Sequence, residues 1–148
     1  MNLCPRVAHT VILAGLSCLG ALGLSADQAP AGRKPEVTLT ATPIMAFIPA
    51  KISFSAAIRG GDDDYEEFYC ASVEWDWDDG TTSEAASDCE PYQPGKSRIR
   101  RNYTAHHNYD VADTYHPAFR LKKKNKVVSQ ARADIEVRPG HYSGAQLR

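Results

Sequence analysis

From residue 36 onward, apolar and polar residues alternate in short runs with a period of two, the signature of strands that bury one face. Val73, Trp75 and Trp77 alternate with Glu74, Asp76 and Asp78, which puts the valine and both indoles on one face and the acids on the other. Asp79-Gly80 supplies two residues that tolerate positive φ, so the strand is expected to fold back through a tight turn into Thr81-Thr82-Ser83. Val37, Leu39 and Ala41 make an earlier strand, closed by Pro43, and Ile52, Phe54, Ala56 and Ile58 make another, closed by Gly60-Gly61. Ala46 to Pro49 between them reads as a connection. Later runs are Ser97 to Ala105, with Ile99, Tyr103 and Ala105 inward; Tyr115 to Leu121, where Pro117 marks an edge or bulge; and Val127 to Val137, with Ala131, Ala133, Ile135 and Val137 inward. No stretch carries a helical apolar stripe of useful length. The pattern predicts an all-β, antiparallel β-sandwich of about seven strands in a single domain.

The first residues change the picture by adding a compartment. Residues 1–26 have the form of a secretory signal peptide: Arg6 precedes an uncharged run from Val11 to Leu24, with small residues around Gly23, Ser25 and Ala26. The run is shorter than the roughly 20 residues a membrane span needs, so no membrane span is expected. Residues 27–36 read as a flexible leader, 37–138 as the domain and 139–148 as a tail. Cys4 and Cys18 belong to the signal, leaving Cys70 and Cys89, which in an oxidising compartment most simply pair. Their bridge would close a loop of about 20 residues around the tryptophan hairpin, worth roughly 3 kcal/mol on the chain-entropy model.

Trp75-Asp76-Trp77-Asp78-Asp79-Gly80 followed by Thr81-Thr82-Ser83 resembles the W-D-F-G-D-G-T-x-S signature of polycystin-type PKD domains. His107-Asn108-Tyr109, then Thr114-Tyr115 and Phe119-x-Leu121, is similar to that family's second signature, H-x-Y-x-x-x-G-x-Y-x-V-x-L. Asp78 and Asp113 stand where the family has glycine, and Pro117 where it has valine; aspartate is among the few residues that tolerate the left-handed region. The resemblance implies an immunoglobulin-like sandwich serving as a non-catalytic accessory or interaction module. It also implies that His107 and Tyr109 are structural corner residues, and that Tyr115 is a corner tyrosine whose hydroxyl bonds to backbone a few residues upstream.

Two groups of residues could carry chemistry. Asp62, Asp63 and Asp64 offer closely spaced hard oxygens, as calcium prefers, and the resemblance points to a calcium-binding loop at this place in some PKD domains of secreted proteases. Against it, the spacing is not D-x-D-G. His106, His107 and Asp110 form the second group, placed on a turn by the sequence reading, and could serve a small secreted metal-dependent hydrolase. No nucleophile stands in a recognisable setting with an oriented base, and there is no phosphate-cradling loop or metalloprotease helix.

Charge adds one feature that the sum of −1 conceals. Asp62 to Glu90 holds twelve acids and no lysine or arginine, while Lys96 to Arg138 holds eleven basic residues and four acids. Such segregation steers partners if the two segments lie apart, and cancels if their strands are neighbours. Nucleic acid is not an expected partner of an exported chain without a recognised module. The reading is a secreted, extracellular or periplasmic module, monomeric, that binds protein or polysaccharide and needs no cofactor unless it takes calcium. The alternative is the metal-dependent hydrolase.

Overall fold

Alternation becomes strand wherever the polar face can meet water and the apolar face can meet another sheet. The computed structural model describes residues 32–140. The expected signal peptide, residues 27–31 of the leader and residues 141–148 of the tail lie outside them. Ten strands and no helix occur among the described residues: β1 (Glu36–Thr42), β2 (Met45–Phe47), β3 (Ala50–Arg59), β4 (Ser72–Asp76), β5 (Thr82–Ala85), β6 (Asn102–Tyr109), β7 (Asp113–Tyr115), β8 (Ala118–Lys123), β9 (Lys126–Arg132) and β10 (Ile135–Arg138). The fold is all-β. One sheet has the order β1-β3-β6, a second β5-β4-β8-β9, and a third, small one β2-β10-β7. Every pairing is antiparallel except β2 with β10, which is parallel.

The strand count exceeds seven for identifiable reasons. Pro117, which lacks a ladder N–H, divides the Tyr115 to Leu121 run into β7 and β8. Opposite it, the Val127 to Val137 run divides into β9 and β10, and the Ala133 N–H donates to the Pro117 carbonyl across the break (3.1 Å). The segment expected to be a connection, Ala46 to Pro49, contributes instead to β2. It is held to β10 by Glu136 N–H to the Ile44 carbonyl (2.8 Å) and Ile48 N–H to the Arg138 carbonyl (3.0 Å).

The inner faces meet in an aromatic layer. Ile52, Phe54, Ala56 and Ile58 of β3, Tyr103 and Tyr109 of β6, Trp75, Phe119 and Leu121 from the facing sheet, and Trp77 just past β4 are all buried. The Phe54 ring lies 5.3 Å from Trp77, and Trp75 meets Phe119 edge-on at 4.8 Å. Trp75 and Trp77 stack nearly parallel at 5.5 Å. Both indoles are therefore core residues, as their alternation requires.

Three further expectations are corrected. The strand placed at Ser97 to Ala105 begins only at Asn102 and runs on to Tyr109. Ile99 is buried nonetheless, but its N–H bonds to the Asp63 carbonyl of the preceding loop (2.8 Å) rather than to a strand. The hairpin after β4 does not turn on Asp79-Gly80 alone: Asp76 pairs with Thr82, the Trp77 N–H closes on the Thr81 carbonyl (3.1 Å), and positive φ falls on Asp78 (60°) and Gly80 (86°). Finally, the described end of the 27–36 leader is attached. The Arg33 N–H donates to Asp62 Oδ2 (2.7 Å), Pro35 is buried, and a Cβ on Gly61, whose φ is 59°, would collide with the Pro35 backbone.

Candidate functional site

The residues shared by the two signatures converge on the loop from Trp77 to Thr81. Its sharp path leaves backbone donors that the strand ladder cannot satisfy, and neighbouring aspartates accept them. Asp79 Oδ1 accepts the Thr81 N–H (2.9 Å) and hydroxyl (2.6 Å), while Asp76 Oδ1 accepts the Asp78 N–H (3.2 Å). Asp79 Oδ2 lies 2.7 Å from His107 Nε2 on β6, and the His107 ring stacks on Trp77 with centroids 4.5 Å apart and planes 2° from parallel. Tyr109, two residues along β6 and so on the same face, donates its hydroxyl to the Trp77 carbonyl (3.0 Å). Asp78 Oδ2 accepts the His116 N–H (2.7 Å) from the link between β7 and β8. The loop is thus fastened to both sheets.

The electrostatics agree with a holding role. Burial pushes the Asp79 carboxyl up, but the hydrogen bonds from Thr81 and His107 together outweigh it and leave the group below the usual carboxylate range. Burial raises the Tyr109 phenol, and the neighbouring Asp79 raises it further, so it stays a neutral donor. The Tyr115 hydroxyl donates to the Val111 carbonyl (2.9 Å), four residues upstream, and its ring lies 4.4 Å from Tyr109. Both Asp79 oxygens and both relevant hydroxyls have partners inside the scaffold. What the arrangement does chemically is fix a turn.

The hydrolase constellation does not assemble. His106 and His107 are consecutive on strand β6, not on a turn, so alternation sends their rings to opposite faces. His107 faces inward to Trp77, whereas His106 is exposed and its Nδ1 lies 2.9 Å from Ser53 Oγ on β3. Asp110 follows the end of β6, exposed. Nor do the three aspartates of the loop after β3 converge on a common point. Asp62 takes the Arg33 N–H, Asp63 pairs with Arg101 (2.5 Å) and Arg98 (3.0 Å), and Asp64 takes the Gly95 N–H (2.9 Å). The Arg101 guanidinium holds the Asp63 carboxyl below its ordinary range. No group of three or more histidine, cysteine or acidic side chains among the described residues is placed to hold a metal ion.

These aspartates instead join two long loops, the one between β3 and β4 and the one between β5 and β6. The Tyr92 hydroxyl donates to the Asp64 carbonyl (2.7 Å), the Tyr69 hydroxyl to the Glu90 carbonyl (3.0 Å), and Cys70 is disulfide-bonded to Cys89 with Cα atoms 6.0 Å apart. Cys70 itself has φ 53°.

Segregated charge proves to be paired charge. On the outer face of β5-β4-β8-β9, Glu74 bonds Arg120 (2.5 Å) and Lys122 (2.7 Å), Arg120 bonds Asp76 (2.9 Å), and Lys122 bonds Glu84 (2.7 Å). The Lys122 and Arg120 hydrogen bonds draw Glu74 down to about 2. The acidic segment supplies β4 and β5, the basic one β8 and β9, and β4 and β8 are neighbours in the sheet.

Sequence reasoning passed over a second surface. The outer face of β1-β3-β6 carries cross-strand rows of hydroxyls: Thr40 opposite Ser55 opposite Thr104, and Thr42 opposite Ser53 opposite His106. Its signal was present in the polar halves of the same alternation, Thr38-x-Thr40-x-Thr42 and Ser53-x-Ser55.

No protein-family model and no curated protein matches the chain. Among solved structures, it is similar to the PKD domain of an M14-like peptidase from Thermoplasmatales archaeon SCGC AB-540-F20 (15% identity, TM-score 0.49, covering 72% of this chain and 98% of that one). The structural likeness includes a PKD domain, the family that the two signatures resemble. A CARDB domain from Pyrococcus furiosus, solved in complex with di-metal ions, is also similar (9% identity, TM-score 0.47, covering 74% of this chain and 97% of that one).

Proposed function

We propose that the chain is a secreted, non-catalytic PKD-like module that binds an extracellular or periplasmic protein or polysaccharide. The observation that carries this reading is the fate of the reactive side chains. Asp79, His107, Tyr109 and Tyr115 are each bonded within the turn and corner they stabilise, and His106 and His107 face opposite ways. What the described residues leave exposed is surface: even the Ser53–His106 pair (2.9 Å) stands on the open outer face of a sheet. The Cys70–Cys89 bond fits an oxidising compartment. To test the reading, purified chain is incubated with insoluble polysaccharides and immobilised matrix proteins; retention on at least one is expected. Retention on none sinks it. Intact-mass measurement of the exported protein should find an N-terminus between residues 23 and 29 and no free thiol.

A further inference from the structure

We propose that the outer face of the β1-β3-β6 sheet is the docking surface for a neutral, extended β-linked polysaccharide chain. The proposal rests on the binding-module reading above and names the surface and the ligand class. Three properties of the face carry it. First, its central rows hold no Lys, Arg, Asp or Glu: across β1, β3 and β6 they run Thr38–Ala57–Asn102, Thr40–Ser55–Thr104 and Thr42–Ser53–His106. The charged residues of these strands stand at the ends, Glu36 opposite Arg59 at one and Lys51 at the other. A polyanion therefore finds no cationic row, and a polycation no acidic one.

Second, two of the β1 hydroxyl hydrogens are already directed. Thr38 donates to the Ala57 carbonyl and Thr40 to the Ser55 carbonyl, each at 3.2 Å. A hydroxyl that gives its one hydrogen to backbone keeps lone pairs facing outward as acceptors. A sugar hydroxyl is a matching donor; a sulfate or phosphate oxygen, having no hydrogen to give, is not. Asn102 and His106 add donor capacity at the margin of the same face.

Third, the side chains of β1 and β3 along these rows are short, and the longer Asn102 and His106 stand on β6 at one edge of the sheet. Residues i and i+2 along a strand lie about 6.8 Å apart and neighbouring strands about 4.8 Å apart, giving a shallow grid that a flat, extended glycan can lie across. The facing sheet offers no such grid, because its outer side chains are long and already joined in ion pairs.

The test compares the wild-type chain with Ser55→Lys, which puts length and charge into the central row, and with Thr82→Lys on exposed β5 as the control. Each is titrated against microcrystalline cellulose, chitin and heparin-agarose, with near-ultraviolet circular dichroism to confirm a native core. Wild type and Thr82→Lys should be retained on cellulose or chitin, and Ser55→Lys should bind about tenfold more weakly, the equivalent of about 1.4 kcal/mol. In a titration with cellohexaose, amide shifts should cluster on β1, β3 and β6. If Ser55→Lys misfolds, Ser55→Ala and these shifts serve in its place. Retention of Ser55→Lys equal to wild type, or preference for heparin, overturns the proposal and leaves the module reading standing. Failure of wild type to bind any polysaccharide, with retention on a matrix protein, does the same; no retention anywhere overturns both.

Discussion

On the outer face of β5-β4-β8-β9, the side chains of Glu74, Lys122 and Arg120 are only 15%, 19% and 21% exposed, because each lies under another. On the outer face of β1-β3-β6, Thr40, Ser53, Ser55 and Thr104 are exposed and bond, where they bond, to backbone or to one neighbour. Both faces are polar for the same reason, the second half of a period-two alternation over a buried half. They differ in how that polarity is satisfied. Long ionic side chains reach across strands and close one face on itself, whereas short hydroxyls leave the other open to solvent. A polar sheet face is thus not one kind of surface.

The core common to both faces sets the largest expected effect. Trp75→Ala should cost roughly 3–5 kcal/mol, since it opens a cavity among Phe54, Trp77 and Phe119. Chemical denaturation followed by far-ultraviolet circular dichroism measures it. Both sheets should melt in one transition; a loss below about 1 kcal/mol, or two separate transitions, would mean that the faces do not share a core.

Reduction of the Cys70–Cys89 bond comes next and acts on one side only. The bond joins the entry of β4 to the segment after β5, closing a sequence separation of 19 residues, so its loss should lower stability by roughly 3 kcal/mol. Hydrogen exchange should then quicken in the two loops that meet there, while β1, β3 and β6 keep their protection. Equal loss of protection in β3 would contradict the separation of the two regions.

How much of this was legible in the sequence follows from the range of the interactions. Trp75, Trp77 and the Asp-Gly turn carry local signals, alternation and positive-φ tolerance, and both indoles are buried where alternation puts them. Even the departure at Asp78 has a local cause, since it takes the left-handed conformation in place of glycine. Residues 97–101 mislead because Arg98, Ile99 and Arg100 alternate like a strand, yet Arg98 and Ile99 bond Asp63, whose distance along the chain gives no signal. His106 and His107 were set on a turn for the same reason: the shift of β6 by several residues changes a turn into a strand and parts two adjacent rings. The charge ladder was visible only as segregated composition. Which glutamate meets which lysine depends on the β4–β8 register, in which Glu74 lies opposite Arg120.

Glu74→Gln tests the closed face itself. It removes the carboxylate between Arg120 and Lys122 and should cost about 1–2 kcal/mol, less than a fully buried pair because the face borders water. The pH dependence has a definite sign. Glu74 is held at about 2, below its ordinary 4.5, so the folded state binds its proton less readily than the unfolded one. Its contribution is complete above the ordinary value and disappears as pH falls from about 5 towards 2. Wild type should therefore lose stability through that window more steeply than Glu74→Gln; parallel curves would remove the ladder as the cause.

The smallest effect is expected on the open face, and its smallness is informative. Thr40→Val keeps the β-branched shape that suits a strand and removes only a hydroxyl whose bond to the Ser55 carbonyl (3.2 Å) lies in water. Thr40 and Ser55 are both exposed residues, so the change leaves no buried side chain without a partner. Stability should stay within about 0.5 kcal/mol of wild type, the range of surface changes away from special features. Glu74→Gln and Thr40→Val, measured side by side by denaturant unfolding, give the comparison its number. If Thr40→Val costs as much as Glu74→Gln, the hydroxyl rows hold the sheet together as the ion pairs do on the other side, and the open face is scaffold rather than surface.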